Sequence, residues 1–415
     1  MRACIHRGST QIGGSCVEVE SNGWRLLIDL GLPLDAEGDG AKYLPQIQGL
    51  NNTDHSLLAI LISHAHLDHF GLVAYMSQSI PTAMGPAARR IIQAAIPFLP
   101  GNLVSPPPGW DFVSEIPISI GPFKVTPFLV DHSAYDAYSL LIEADGKKLL
   151  YSGDLRAHGR KCALFEGFIK HPPGSVDTLL VEGSSLGRLG DDRHFPSEDD
   201  IETNLVNIFH ETEGMALVHT STQNIDRIVS IFRACKKTGR TLIIDLYAAA
   251  ILEATGNPNL PQSYWPEIAL YIPQSQRIQI KNNAWFDLMK KHSAHRIFIE
   301  DLKEASRKAV ILFRPPHCPD LVKADCLGGA TYVYSQWEGY WERESFVRLR
   351  DWLLKNELPM RHLHTSGHAS ISDLKRFVSA LSPHKVVPIH TFNPERYPML
   401  FDNVELHNDK EWWEV

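Results

Sequence analysis

The chain has 415 residues, 44% of them hydrophobic and 21% charged, with a formal net charge of −8. That composition is ordinary for a soluble globular protein, and the negative charge argues against broad, sequence-independent wrapping of nucleic acid. No apolar run reaches membrane-spanning length, and two or three domains, or one core with a large insertion, are expected.

The opening residues, Met1-Arg-Ala-Cys-Ile-His6, have no apolar core of signal-peptide type, which predicts a cytoplasmic protein. The six cysteines agree with this, because they are scattered and form no Cys-x-x-Cys pair. Val17-Glu-Val-Glu20 and Trp24-Arg-Leu-Leu-Ile28 predict a hairpin around Ser21-Asn-Gly23, with Asp29 closing its second strand. Residues 57–63 read as a buried strand, with a helix expected beyond it to about Gln78. Between the two lies His64-Ala-His66-Leu-Asp68-His69, three imidazoles and a carboxylate at a strand end. Imidazole nitrogen and carboxylate oxygen suit zinc, manganese or iron(II). So many donors in so short a segment point to two ions rather than one.

Further strands are predicted at 123–130, ending at Asp131-His132; at 148–151, ending at Ser152-Gly-Asp154; and at 176–181, ending at Glu182. Ligand-type residues at several strand ends are how α/β folds build sites on one sheet edge. From about Ser184 the texture changes. A polar loop at 190–196 precedes a strand at 215–220, a helix marked by Ile225, Ile228, Val229 and Phe232 and stopped by Gly239, and a strand at 241–246. This reads as a parallel α/β domain running to about Pro359. His362-Leu-His364-Thr-Ser-Gly-His368 then precedes a helix with Leu374, Phe377, Val378 and Leu381 on one face, and a strand at 385–389 ends in His390. The return of ligand-type residues makes the middle an insertion. The expected division is 1–185, 186–358 and 359–415.

These residues resemble the metallo-β-lactamase superfamily and, within it, the β-CASP nucleases of ribonuclease J type. Asp29 matches the first motif, His64, His66, Asp68 and His69 the second, His132 the third and Asp154 the fourth. Glu182, His368 within Ser366-Gly-His-Ala369, and His390 match the β-CASP additions. The resemblance implies an αββα sandwich carrying an inserted parallel α/β (β-CASP) domain. The further C-terminal domain usual in ribonuclease J proteins is expected to be absent, and the oligomeric state is left open.

The resemblance also implies roles. His64, His66 and His132 would hold one divalent ion, Asp68, His69 and His390 a second, and Asp154 would bridge them. Zinc is the first expectation and manganese the alternative. Ions about 3.5–4 Å apart share a hydroxide and clamp a phosphoryl oxygen. Asp29 would orient the histidine loop, its alternative being a turn cap before Gly31. His368 would be the general acid, with Glu182 holding its tautomer. Ser366, Gly367, Ser221 and Thr222 are candidate phosphate donors, the last two doubling as plain helix caps. His364 either supports the site or closes a turn.

The expected activity is a metal-dependent ribonuclease on single-stranded RNA, 5′-exonucleolytic or endonucleolytic, acting between the two domains without a membrane. The alternatives are a DNA nuclease of the same fold and a small-molecule ester or lactone hydrolase. His219 and His317 are read as structural, and Arg233, Lys236, Lys237 and Arg240 as a solvated helix face.

Overall fold

The structure, a computed structural model, describes residues 1–51, 54–190 and 193–415. Asp191 and Asp192, within the expected polar loop, lie outside the described residues. The chain forms two compact units, one of residues 1–195 with 367–415 and one of residues 196–366. These borders fall later than the 185/186 and 358/359 divisions read from the sequence.

The first unit opens with strands β1 (Arg2–Arg7), β2 (Cys16–Ser21), β3 (Trp24–Ile28), β4 (Leu57–Leu61), β5 (Thr82–Met84) and β6 (Trp110–Asp111). It continues with β7 (Ile118–Ile120), β8 (Phe123–Val130), β9 (Ala137–Ala144), β10 (Lys147–Tyr151) and β11 (Thr178–Glu182). The second unit holds β12 (Ala216–His219), β13 (Thr241–Ile244), β14 (Ile268–Tyr271), β15 (Arg296–Ile297), β16 (Ala309–Phe313), β17 (Thr331–Tyr334) and β18 (Met360–His362). The chain ends in the first unit with β19 (Lys385–Ile389) and β20 (Trp412–Glu414).

The first unit is an αββα sandwich of two sheets, ordered β20-β1-β2-β3-β4-β5-β6 and β19-β11-β10-β9-β8-β7. Period-2 alternation builds its two apolar layers. Leu140, Ile142, Leu149, Tyr151, Leu180, Val387 and Ile389 face the first sheet's Ile5, Val17, Leu26 and Leu61 in one core. Their strand neighbours Leu141, Leu150, Leu179, Val181 and Val386 turn the other way and meet Phe165, Leu374 and Phe377 of the covering helices. Strands covered on both faces read as continuous apolar runs, which is why 149–151 and 178–181 show no polar alternation.

β10, β11 and β19 are parallel, and β9 is antiparallel to both β8 and β10, so β8, β10, β11 and β19 all end at one edge. The first sheet's β3 and β4 also run parallel. Backbone bonds from Tyr138 N to Ser63 O (3.0 Å) and from His390 N to Gly8 O (2.8 Å) lock segments together at that edge.

The helix expected after the histidine cluster is a single turn, Leu67–Phe70, followed by a 3-10 turn at Val73–Tyr75. Tertiary bonds divert its backbone: Leu32 N donates to Leu67 O, Leu30 N to His69 O, and Leu72 N to Leu30 O. Gly31 lies inside this crossing, where an added Cβ would come 1.7 Å from Asp68 O.

The second unit is a parallel sheet ordered β15-β14-β13-β16-β12-β17-β18 with helices between its strands. Helix Ile225–Thr238 ends at Gly239 in the left-handed region. Its basic residues are paired on the surface, Lys237 and Arg233 with Glu202 and Lys236 with Glu267. On its inner side Arg227, fully buried, forks onto Glu198 at 3.2 and 3.0 Å. Arg227→Met is expected to destabilise this unit by about 3–5 kcal/mol, because Glu198 then stays buried without its cation. The check is a lower urea midpoint for the second unit's transition.

Candidate metal centre

Every ligand-type residue named in the first unit lies at its common strand edge. His64 follows β4, His132 follows β8, Asp154 follows β10, Glu182 ends β11, and His390 follows β19 in a left-handed backbone conformation (φ 55°). His66 precedes the single helical turn that carries Asp68 and His69.

Four overlapping triads of donors form, each with its atoms within 4.8 Å of one another: His64–His66–His132, His64–His69–Asp154, Asp68–His69–His390 and Asp154–His368–His390. Asp154 Oδ2 is central, 3.2 Å from His69 Nε2 and 3.7 Å from both His64 Nε2 and His390 Nε2. Asp68 Oδ2 stands 3.8 Å from the Nε2 atoms of His69 and His390. Among the described residues, His64 Nε2, His69 Nε2, His390 Nε2 and Asp154 Oδ1 are enclosed and have no hydrogen-bond partner. Four orphaned polar atoms would be costly in a closed core. Converging on one point, they fit divalent cations.

The other side of each ring is held. Asp29, fully buried, accepts from His69 Nδ1 (2.7 Å), Tyr151 Oη (2.8 Å), Ser63 Oγ (2.9 Å) and Ser63 N (2.7 Å). His69 Nε2 is therefore the ring nitrogen turned into the cluster. His132 Nδ1 donates to Gly367 O (2.6 Å), which leaves its Nε2 3.3 Å from His66 Nδ1. Ser63 Oγ lies 3.0 Å from His64 Nδ1, and Ser15 Oγ lies 2.9 Å from His390 Nδ1. Partners of this kind set ring orientation and tautomer. Asp29 occupies the left-handed region (φ 60°), which Asn also tolerates. Asp29→Asn should keep the backbone yet lower zinc affinity 10–100-fold, as read by isothermal titration.

Burial and neighbouring charges push the groups of the cluster in different directions. Burial acts to raise the Asp154 pKa, but His390, His69 and His368 hold it well below the usual carboxylate range. Burial opposes protonation of His69, yet Asp154, Asp29 and Asp68 hold it well above the usual imidazole value. Burial and neighbouring imidazoles push His64 and His132 well below theirs, and burial carries His66 down to about 4.

His368 closes the triad with Asp154 and His390, and its Nδ1 lies 2.9 Å from Glu182 Oε2 and 3.8 Å from Asp154 Oδ2. Burial works against its charge, but Glu182 and Asp154 outweigh it and hold the ring at about 9. Glu182 also accepts from Leu155 N (3.1 Å) and Ser184 N (3.3 Å), so its carboxylate is fixed. The following helix is capped by Ser370, so His368 is not a cap.

The substrate-contact candidates fare differently. Gly367 serves through its carbonyl, as the acceptor of His132, and an added Cβ would lie 2.6 Å from Ser133 Oγ. Ser221, Thr222, His364 and Ser366 belong to the second unit. The cap of helix Ile225–Thr238 is Asn224, which accepts from Arg227 N, so neither Ser221 nor Thr222 caps it. The His364 ring is half-buried, and burial next to Arg227 pushes it to about 3. His219 is buried against Tyr332 Oη (2.6 Å), and His317 bonds the Arg314 backbone. Ser63, Tyr151 and Ser15 were not singled out in the sequence. The one local signal was a serine directly before His64.

Residues 10–197 match the family described as the metallo-β-lactamase superfamily. The chain carries a metallo-β-lactamase superfamily domain. Residues 358–392 match the Zn-dependent metallo-hydrolase RNA specificity domain. The chain is 23% identical to ribonuclease J of Helicobacter pylori strain ATCC 700392 / 26695 over 418 aligned residues, 92% of this chain and 55% of the relative. It is 22% identical to ribonuclease J of Sinorhizobium meliloti over 372 residues, 84% of this chain and 60% of that protein. It thus spans little more than half the length of these curated relatives. A crystal structure of a protein of unknown function from Enterococcus faecalis V583 superposes with a TM-score of 0.78 at 22% identity, covering 99% of both chains. That likeness shows the fold. No helix among the described residues is long and apolar enough to cross a membrane.

Proposed function

We propose that this metallo-β-lactamase domain hydrolyses phosphodiester bonds of single-stranded RNA with two divalent ions, zinc first and manganese as the alternative. The observation that carries the reading is the convergence of unpartnered His64, His69, His390 and Asp154 atoms beside the His368–Glu182 pair. The RNA specificity match and the ribonuclease J relatives support the choice of substrate.

His64, His66 and His132 would hold one ion, Asp68, His69 and His390 the other, with Asp154 between them. When bound, the ions supply Lewis acidity, which neutralises phosphoryl charge and lowers the pKa of water. The chain's own residues do the rest. Asp29 accepts the Nδ1 proton of His69 and keeps its Nε2 lone pair turned inward. Glu182 accepts the Nδ1 proton of His368, so the ring presents Nε2–H to the leaving oxygen. The second unit, residues 196–366, is read as the β-CASP insertion expected at 186–358.

The test is incubation with RNA labelled separately at each end, with manganese or zinc, beside a DNA control and Asp68→Ala. Metal-dependent RNA loss that disappears in the variant supports the reading. Release of mononucleotides from the 5′ end marks an exonuclease, and internal fragments an endonuclease. Cleavage of small esters alone overturns it.

A further inference from the structure

β8 and β10 are not neighbours in their sheet. β9 lies between them, which sets their axes about 9–10 Å apart, twice the ordinary strand spacing. Their C-terminal ends carry His132 and Asp154, whose donor atoms join the same cluster. The sheet ladder alone does not bring the two loops together.

A buried ion pair does. Asp131, the residue before His132, and Arg156, two residues after Asp154, are both fully buried. Arg156 Nε stands 3.3 Å from Asp131 Oδ1. Arg156 N donates to Asp131 O at 2.7 Å, and Gly159 N donates to Asp131 Oδ2 at 2.7 Å. The loop wraps the carboxylate so closely that a Cβ on Gly159 would lie 2.2 Å from Asp131 Oδ1 and 2.5 Å from the guanidinium. Replacing a buried pair by matched neutral groups is often neutral for stability, so its presence here points to geometry rather than to holding the fold together.

We propose that Arg156 and Asp131 are positioning residues that clamp the two ligand loops across β9 and set the spacing between His132 and Asp154. The inference rests on the reading of His132 and Asp154 as metal ligands.

The test is titration of the full, chelator-stripped chain with zinc and with cobalt(II), comparing wild type with the double variant Asp131→Asn/Arg156→Met. Asn keeps the acceptor for Gly159 N–H, and Met keeps the packing of the arginine stem. The expected result is at least a tenfold loss of metal affinity and an altered visible absorption of bound cobalt. The melting temperature of the metal-free double variant stays near wild type. If that variant melts far lower, Arg156→Lys takes its place, and a smaller shift in affinity and spectrum is expected from its point-like donor. Wild-type affinity and an unchanged cobalt spectrum in the variants overturn the clamp alone. So does a lower melting temperature with metal binding intact, which marks a purely structural pair. A wild-type chain that holds no metal removes both readings.

Discussion

Replacing Asp154 with Ala is expected to empty the site and to lower RNA turnover on the order of 10³-fold or more, since bound ions contribute several kcal/mol to the transition state. Its Oδ2 is the atom shared by His64, His69 and His390, at 3.2–3.7 Å. With it gone, the imidazoles face one another without the carboxylate that stands among them. The fold should survive, because the edge is also held by Glu182 through Leu155 N and by the backbone bonds of Ser63 and His390. The check is metal content by mass spectrometry beside turnover. Full metal occupancy in Asp154→Ala would contradict its bridging role.

His368→Ala is expected to act differently. Metal content should stay at the wild-type level while turnover falls 10²–10⁴-fold, the usual worth of a positioned general acid. Glu182→Gln should fall less far, because an amide still accepts from Nδ1 but no longer stabilises the charged ring. The readout is single-turnover cleavage with metal occupancy measured on the same samples. An RNA whose leaving oxygen carries a better leaving group should recover much of the rate in His368→Ala and little in Asp154→Ala. Equal recovery in both would sink the assignment.

Much of this site was legible because its chemistry is written locally. His64 to His69 forms one cluster, and His132, Asp154, Glu182 and His390 each follow an apolar run whose end marks the strand end. The strands at 24–28, 123–130 and 385–389 match their predicted bounds for the same reason. β9 was not picked out: Ser139 interrupts its apolar run, and only the fold reveals that its hydroxyl donates to Ser152 O. The helix expected to Gln78 failed because loop 30–32 takes the backbone groups that would have extended it. The orienting bonds of Asp29 with Tyr151 and of Asp131 with Arg156 join residues far apart in the chain, and no local pattern announces them. The substrate contacts were the weakest reading, because serines near a helix start look alike whether they cap it or not.

The central claim is that the strand-edge cluster binds two divalent ions. Crystals soaked in zinc or manganese, with anomalous scattering recorded at the metal edge, test it most directly. Two peaks are predicted, one among His64, His66 and His132 and one among Asp68, His69 and His390, both touching Asp154. No anomalous density at that edge, in protein whose backbone there is unchanged, would contradict it.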